Sequence, residues 1–169
     1  QGSPSKIILA ELGPGKGTMM ADILRTLKIH PDFLSATEIH LIEASSNLRS
    51  EQKKTLSEFN IFWHKELPSF EEKPLFLIAN EFFDALPIEQ FLRQGNNFFK
   101  RTVQFLNNNL TYGLEKKPTI NKFLKNRLMD TSDGDIVELN IAAAEVSKNI
   151  GDHISNFCGL AIFIDYGDW

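Results

Sequence analysis

The amino-acid sequence predicts a doubly wound α/β fold whose sheet is mostly parallel, with an inserted β-hairpin and helix. Short apolar runs alternate with longer segments of helical periodicity, which is the pattern of a parallel sheet covered by helices on both faces. A glycine-rich corner joins the first apolar run to the first helical segment. One stretch, residues 97–114, departs from this alternation and predicts the insertion.

The predicted strands of the parallel sheet are short and rich in apolar or β-branched residues, and they lie at residues 6–12, 38–43, 60–64, 75–80 and 160–166. Three helices are predicted between them. The first has apolar residues at i, i+3, i+4 and i+7 from Met20, and the second has Ser45 or Ser46 as its N-cap. The third begins near Ile141 and ends before Gly159.

The inserted segment is predicted to start as a hairpin. Asn107-Asn108-Asn109 separates two apolar pieces, and asparagine tolerates the positive φ angles of a tight turn. A polar helix over about residues 119–129 and a short strand at residues 136–139 follow. We assign residues 1–169 to one core domain with an insertion at about 97–134. Because the chain lacks an initial methionine and stops directly after a strand-like run, we expect a fragment that is truncated at both ends.

Composition narrows the class of protein. The 169 residues are 42% hydrophobic and 24% charged, which is the ordinary range of a soluble globular domain. The net charge of −4 argues against a general affinity for nucleic acid or anionic membranes. No apolar run approaches the roughly 18 residues that cross a bilayer, so no membrane insertion is expected. The single cysteine, Cys158, fits a reducing compartment and, from its apolar neighbours, is expected to be buried.

The most informative motif is the corner Glu11-Leu12-Gly13-Pro14-Gly15-Lys16-Gly17-Thr18. Glycines at such a corner let the backbone turn tightly and approach a ligand, and the following helix presents free N–H groups. The spacing excludes a nucleoside-triphosphate loop, because Ala10 stands where the first glycine of that loop belongs. The spacing also argues against a dinucleotide-binding loop without excluding it, because Thr18 occupies the position of the third glycine in the Gly-x-Gly-x-x-Gly pattern. The remaining pattern, acidic-x-Gly-x-Gly-x-Gly, resembles the first motif of class I methyltransferases.

This resemblance implies S-adenosylmethionine as the cofactor. The residues of the corner expected to contact it are Glu11, Gly13, Pro14, Gly15, Gly17 and Thr18. S-adenosylmethionine has no phosphate, so the bare backbone has to accommodate its methionine portion, while Glu11 helps to orient the ammonium group. Glu43 ends the second predicted strand, where an acidic side chain can accept both ribose hydroxyls. That role fits the nucleoside of S-adenosylmethionine or of NAD.

The fourth predicted strand ends in Asn80-Glu81-Phe82-Phe83, which Asp84 follows. These side chains are expected to face the reacting centre, because ligands of open α/β sheets bind at the carboxyl ends of strands. The four residues look similar to the Asn/Asp-Pro-Pro-aromatic motif of amino-group methyltransferases, without its prolines. Asn80, Glu81 and Asp84 are therefore the candidate catalytic residues, and Asn80 is also expected to contact the cofactor. A carboxylate pair can hold a guanidinium and accept its proton, although an N-cap role for Asp84 is an equal alternative.

Taken together, four segments are similar to the MidA family, and the resemblance covers nearly the whole chain. They are the glycine corner at 11–18 with Asp22-Ile23-Leu24-Arg25, then Ile42-Glu43 with Leu48-Arg49 and Gln52, then Asn80-Glu81-Phe82-Phe83-Asp84-Ala85-Leu86-Pro87-Ile88 with Gln90-Phe91, and finally Ile164-Asp165-Tyr166-Gly167. The resemblance implies a class I, Rossmann-like methyltransferase fold with S-adenosylmethionine and a protein substrate. For mitochondrial members it implies methylation of an arginine in a subunit of respiratory complex I. The location it implies is the bacterial cytoplasm or, as the alternative, the mitochondrial matrix. Asp165 and Tyr166 could face the pocket or cap the strand.

The leading hypothesis is a methyltransferase that acts on a nitrogen, and two alternatives remain. The glycine corner and Glu43 could serve an NAD-dependent oxidoreductase, although Thr18 and the segment after the fourth strand count against it. A non-catalytic assembly factor could retain the fold without turnover, because a fold does not determine function. No metal site is expected, and the low interleaving of aromatic and basic residues argues against an RNA substrate.

Overall fold

The computed structural model describes residues 5–167. These residues form two compact units, the first from residues 5–85 and 145–167 and the second from residues 86–144. In chain order the elements are β1 (Ile7–Leu12), α1 (Thr18–Leu27), α2 (Pro31–Ala36), β2 (Thr37–Ile42), α3 (Ser46–Thr55), β3 (Ile61–His64), β4 (Leu75–Asn80), β5 (Glu89–Gln94), β6 (Asn97–Leu106), β7 (Asn109–Leu114), α4 (Lys122–Arg127), β8 (Ile136–Leu139), α5 (Ile141–Phe157) and β9 (Gly159–Ile164). The assignment of the whole chain to one core with an insertion stays a prediction.

A five-stranded parallel sheet forms the centre of the first unit. Its strands lie in the order β3-β2-β1-β4-β9, and all neighbouring pairs are parallel. The chain runs outward from β1 to β2 and β3, and then returns to place β4 on the other side of β1. The strand order therefore reverses between β1 and β4. In open α/β sheets, ligands bind in the crevice beyond the carboxyl ends of the strands at such a reversal.

Apolar side chains cover both faces of this sheet. On one face, Met20 and Leu24 of α1 pack in a buried cluster with Leu9 of β1, and Leu56 at the end of α3 belongs to the same cluster. On the other face, Ile150 of α5 packs with buried residues of β1 and β4. Successive residues of β1 supply the two clusters alternately, as expected for a strand buried on both sides. The predicted doubly wound α/β fold is confirmed.

The predicted start of α3 and the predicted end of α5 agree with the structure, whereas α2 was not predicted. Ser45 is the N-cap of α3, where its hydroxyl accepts a hydrogen bond from the backbone N–H of Leu48 at 3.3 Å. The helix α5 ends at Phe157, as predicted. The short helix α2 was not predicted, although it has Pro31 at its first position, where a proline suits a helix start. None of the helices in the described part of the chain is long and apolar enough to cross a membrane.

The second unit contains an antiparallel sheet in the order β7-β6-β5-β8. The predicted hairpin is confirmed as β6 and β7, and its turn residues Asn107 and Asn108 have φ angles of 50° and 60°. Four buried residues form the core of this unit: Phe91, Phe98, Leu124 and Val137. The predicted polar helix is shorter than expected and spans only Lys122–Arg127, while the strand β5 was not predicted.

The prediction of a buried cysteine is wrong. Cys158 is exposed and forms the one-residue link between α5 and β9. Its backbone has a positive φ angle of 67°. The apolar neighbours that suggested burial include Leu160, which lies on the edge strand β9 and is itself 54% exposed.

Candidate functional site

The corner after β1 is a backbone loop held in a left-handed conformation. Gly13, Gly15 and Gly17 have φ angles of 60°, 55° and 79°, a region that glycine adopts far more readily than other residues. The N–H of Gly17 donates to the carbonyl of Pro14 at 2.8 Å, and Gly17 is the N-cap of α1. A Cβ built on Gly15 would meet no atom within 4 Å. The loop therefore offers bare, accessible backbone at the start of a helix, and Thr18 is the first, exposed residue of that helix.

Glu11 precedes this loop and is an unusual buried acid. Its side chain is only 2% exposed, and among the described residues its Oε2 atom is buried without a hydrogen-bond partner. Burial raises the pKa of the Glu11 carboxyl to about 7, because removal from water disfavours the charged form. A buried, unpartnered carboxyl oxygen is costly unless a polar or cationic group binds it.

Glu43 follows β2 and lies beside the glycine loop. The N–H of Gly13 donates to the carbonyl of Ile42 at 3.0 Å, which fixes the loop to the end of β2. Glu43 is 9% exposed, and its Oε1 accepts a hydrogen bond from the backbone N–H of Ser45 at 2.8 Å. This bond orients the carboxylate and leaves Oε2 outside it. The structure therefore brings together the glycine loop and the acid that the sequence predicts to bind a ribose.

The segment after β4 reaches the glycine loop from the other side of β1. A Cβ built on Gly13 would lie 3.0 Å from Cδ2 of Phe82, so the aromatic ring lies directly against this glycine. Glu81 has a positive φ angle of 49°, and its N–H donates to the carbonyl of Ile164 at 2.8 Å. Asn80, at the last position of β4, is exposed. This edge of the sheet thus gathers the ends of β1, β2, β4 and β9.

Three carboxylates form a cluster at the same edge. Glu81, Asp84 and Asp165 each have a carboxylate oxygen, and these oxygens lie within 4.8 Å of one another. The backbone N–H of Asp84 donates to Oδ2 of Asp165 at 3.3 Å. Partial burial raises the pKa of Glu81, and the negative charges of Asp165 and Asp84 raise this pKa further. Such a cluster can hold a cation, either a planar organic group or a metal ion.

The helix N-cap reading of Asp84 is wrong. Residues 81–88 form bends and a turn, with no helix among them, so the Asp84 carboxylate has no helix start to cap. The acidic residues of this segment suggested a helix start, but the segment is an irregular loop in which Phe82 and Phe83, just before Asp84, pack edge to face with ring centroids 5.3 Å apart. Phe83 also packs against Phe163 of β9, with centroids 4.8 Å apart.

Every predicted site residue lies in the first unit, at or next to the carboxyl ends of its parallel strands: Glu11, Gly13, Pro14, Gly15, Gly17, Thr18, Glu43, Asn80, Glu81 and Asp84. Pro14 and Gly17 are buried within the loop, whereas Gly13 is exposed and Gly15 is half-buried. Two residues were missed or left open. Asp165 joins the acidic cluster, and Gln52 of α3 donates a hydrogen bond to the glycine loop. Gln52 is one of the residues that resemble the MidA family, but a glutamine within a polar helical stretch does not indicate which atom it contacts.

The parallel sheet, the glycine loop at its reversal point and the acid after β2 together define a Rossmann-like domain of the class that binds nucleoside cofactors. The model of a family described as S-adenosyl-L-methionine-dependent methyltransferases matches residues 1–168. The chain belongs to this family, which is the MidA family indicated by the sequence motifs. The predicted family and the cofactor on which its members depend are confirmed.

Named relatives and solved structures agree with this assignment. The chain is 28% identical to a mitochondrial protein arginine methyltransferase NDUFAF7 homolog of Caenorhabditis elegans, over 94% of the chain and 42% of the relative. It is 26% identical to mitochondrial protein arginine methyltransferase NDUFAF7 of Xenopus tropicalis, over 98% of the chain and 44% of the relative. The chain thus spans less than half the length of these relatives.

A crystal structure of a Burkholderia thailandensis protein bound to S-adenosyl-homocysteine has a similar fold. The TM-score is 0.71 at 22% identity, and the match covers 96% of this chain and 42% of that one. This likeness supports the class I fold.

Proposed function

We propose that this protein is a methyltransferase that uses S-adenosylmethionine to methylate a nitrogen of a protein substrate, namely an arginine guanidinium. The observation that carries the proposal is the meeting of three features at one edge of the parallel sheet. These are the bare glycine loop, the oriented carboxylate of Glu43 and the cluster of three carboxylates. The family assignment and the names of the relatives support it.

The residues of the loop fit the cofactor. When bound, S-adenosylmethionine supplies an electrophilic methyl group on a sulfonium. The open Cα of Gly15 leaves room for a ligand against the backbone, and the partnerless Oε2 of Glu11 is suited to an ammonium group. Oε2 of Glu43, next to an Oε1 already bonded to Ser45, is the acceptor that we assign to the ribose hydroxyls. Thr18, at the start of α1, and Asn80, at the end of β4, are both exposed and stay candidate cofactor contacts.

The acidic cluster suits a guanidinium as the methyl acceptor. A guanidinium is cationic, and its delocalised lone pairs make it a poor nucleophile. Carboxylates such as Glu81 and Asp84 can bind it through charge-assisted hydrogen bonds and concentrate its positive charge away from the reacting nitrogen. The side-chain oxygen of Asn80 can accept a hydrogen from the same nitrogen.

Glu81 is the candidate general base. Its raised pKa makes it a better proton acceptor than an ordinary carboxylate. As the nitrogen lone pair forms the new N–C bond, the bond between the methyl carbon and sulfur breaks. The nitrogen then loses one proton to Glu81, which returns it to water. The chain's own residues act here by positioning the nitrogen and accepting its proton.

Calorimetric titration tests the cofactor assignment. We expect the protein to bind S-adenosylmethionine and S-adenosylhomocysteine, and not NAD. Glu43→Ala should weaken this binding by roughly 1.5–3 kcal/mol, the range for hydrogen bonds to a charged group. Glu51→Ala is the matched control, because it removes an exposed carboxylate from α3 and should leave the affinity unchanged. Binding of NAD without binding of S-adenosylhomocysteine would refute the proposal.

Transfer of a labelled methyl group to peptides tests the catalytic assignment. We expect labelling of arginine peptides and none of matched lysine peptides. Glu81→Gln should abolish transfer, because the amide cannot accept the proton, while cofactor affinity stays nearly unchanged. Unchanged turnover in Glu81→Gln would remove Glu81 from the mechanism.

The two alternatives predict different results in the same assays. An NAD-dependent oxidoreductase is not favoured by the comparisons, which name methyltransferases. A non-catalytic assembly factor would bind S-adenosylhomocysteine and transfer no methyl group to any arginine peptide. Labelling of an arginine peptide would therefore exclude the assembly-only alternative.

The partner that we propose is a subunit of respiratory complex I, as the MidA resemblance implies for mitochondrial members. The relatives compared above carry mitochondrial names, which supports the matrix alternative for this chain over the bacterial cytoplasm. Affinity capture on the Glu81→Gln variant, followed by mapping of unmethylated arginines in the captured subunit, tests the partner, and fractionation of the cells that make the protein tests the location. If the captured proteins include no subunit of complex I, the proposed partner is wrong.

A further inference from the structure

A glutamine side chain connects the helix α3 to the glycine loop. Gln52 is 0% exposed, and it lies beside a cluster of apolar residues that includes Leu56. Its Nε2 donates to the carbonyl of Gly15 at 2.8 Å, and its Oε1 accepts from Nε1 of Trp63 at 3.2 Å. The amide is thus bonded at both ends, once to the loop and once to the strand β3.

The carbon chain of Gln52 also packs against the loop. A Cβ built on Gly17 would lie 3.3 Å from Cγ of Gln52 and 3.2 Å from Cδ1 of Leu56. The glutamine therefore contacts two of the three loop glycines, Gly15 through a hydrogen bond and Gly17 through packing. Both contacts come from one side chain on a helix that begins next to Glu43.

The loop needs an anchor from outside because glycine has the largest conformational freedom of any residue. Two backbone hydrogen bonds hold its ends, Gly13 to Ile42 and Gly17 to Pro14. The hydrogen bond from Gln52 holds the middle of the loop at Gly15, where a built Cβ would meet no atom within 4 Å. Without it, the peptide after Gly15 could rotate and turn its carbonyl towards the crevice.

We propose that Gln52 is a positioning residue for cofactor binding, which fixes the Gly15 peptide so that the loop is organised before the cofactor arrives, with Trp63 orienting the amide. This inference rests on the proposed function for its link to the cofactor. The fixed conformation of the loop is a separate property that can be measured on the protein alone. Preorganisation of this kind improves affinity because less ordering is needed on binding.

The test compares three variants. Gln52→Met keeps an unbranched side chain of similar length and removes both hydrogen bonds. Trp63→Phe removes only the indole N–H. Ile39→Val, in the same apolar cluster, is the control because it deletes one buried methylene and no polar contact. Amide hydrogen exchange by NMR is measured at Gly17, whose N–H is bonded within the loop, and affinity for S-adenosylmethionine is measured by calorimetry.

We expect Gln52→Met to speed exchange at Gly17 about tenfold and to weaken S-adenosylmethionine binding about tenfold, the size of one lost hydrogen bond. Trp63→Phe should change the exchange rate and the affinity by about threefold each. The hydrogen bond from Gln52 to Gly15 remains in this variant, but the Gln52 amide is no longer oriented by the indole N–H. Ile39→Val should change neither, although it lowers the free energy of unfolding. Exchange at Ala10, in the buried middle of β1, reports the global free energy of unfolding, so in each variant it should rise only by the amount that urea unfolding of that variant accounts for.

Two results would overturn the inference. The first is a rate of exchange at Gly17 in Gln52→Met that lies within twofold of the wild-type rate. The second is that Ile39→Val speeds exchange at Gly17 as much as Gln52→Met does, which would indicate that Gln52 has only a general structural role. If Gln52→Met does not fold, the smaller effect of Trp63→Phe decides the question by the same comparison. If the wild type binds no S-adenosylmethionine, the proposed function fails. The exchange data then still decide whether Gln52 holds the loop.

Discussion

Replacing Glu11 by glutamine should stabilise the ligand-free protein, and the gain should grow with pH. Burial raises the pKa of this carboxyl from 4.5 to about 7. Because the pKa of this carboxyl is raised in the folded state, its full contribution to stability is present below pH 4.5, where it is protonated in both the folded and the unfolded state. This contribution is lost as pH rises through 7, because the folded protein must then carry a buried charge. At about 1.4 kcal/mol for each unit of pKa, the full loss is about 3–4 kcal/mol.

Urea unfolding of the wild type and Glu11→Gln at several pH values measures this effect. Most of the change falls between pH 5 and pH 8, so the stability difference between the two proteins should grow by about 2–3 kcal/mol in favour of the variant. Other titrating groups are common to both proteins and cancel in the difference. The variant should also bind S-adenosylmethionine about tenfold more weakly at pH 8, because an amide replaces the carboxylate proposed to face the ammonium group. A stability difference that does not vary with pH would refute the buried-acid reasoning.

Three further predictions concern the effect of two glycine substitutions on stability and the dependence of stability on the charge of His40. Gly17→Ala should lower the free energy of unfolding by about 1–2 kcal/mol in urea titrations, because the φ of 79° disfavours a Cβ that would also lie 3.2 Å from Leu56. Gly159→Ala should cost about 4 kcal/mol or more by thermal unfolding, since its Cβ would lie 2.0 Å from the carbonyl oxygen of Leu75. Burial, aided by a neighbouring histidine, lowers the pKa of His40 from 6.5 to about 4, so its contribution to stability is present above pH 6.5 and is lost as pH falls to 4. His40→Phe should therefore show a smaller loss of stability than the wild type between pH 6.5 and pH 4 in urea titrations, and an equal loss would contradict this.

The parallel sheet and the cofactor loop could be predicted because their signals are local. The strand β1 is apolar along its length, and the corner after it needs glycine at three positions with positive φ. The sequence spacing of Glu43 from this corner follows from the βαβ unit, which is why its place beside the loop was predictable.

Features that depend on distant contacts could not be predicted in the same way. The strand β5 has few apolar residues, and its formation depends on pairing with β6 and β8, the second of which is some 45 residues away in the chain. The exposure of Cys158 depends on its place at the sheet edge, which its neighbours in sequence do not reveal. The bond from Gln52 to Gly15 joins residues 37 positions apart.

The two attachments of α3 also restrict what evolution or engineering can change in this helix. The N–H of Ser45 at its start orients Glu43, and seven residues later Gln52 bonds to Gly15, about 10 Å further along the helix axis. Each inserted or deleted residue between them would rotate Gln52 by about 100° around that axis and move it off the loop. Point substitutions on the solvent side of α3 leave this spacing intact, so the helix should tolerate wide variation in sequence and almost none in length.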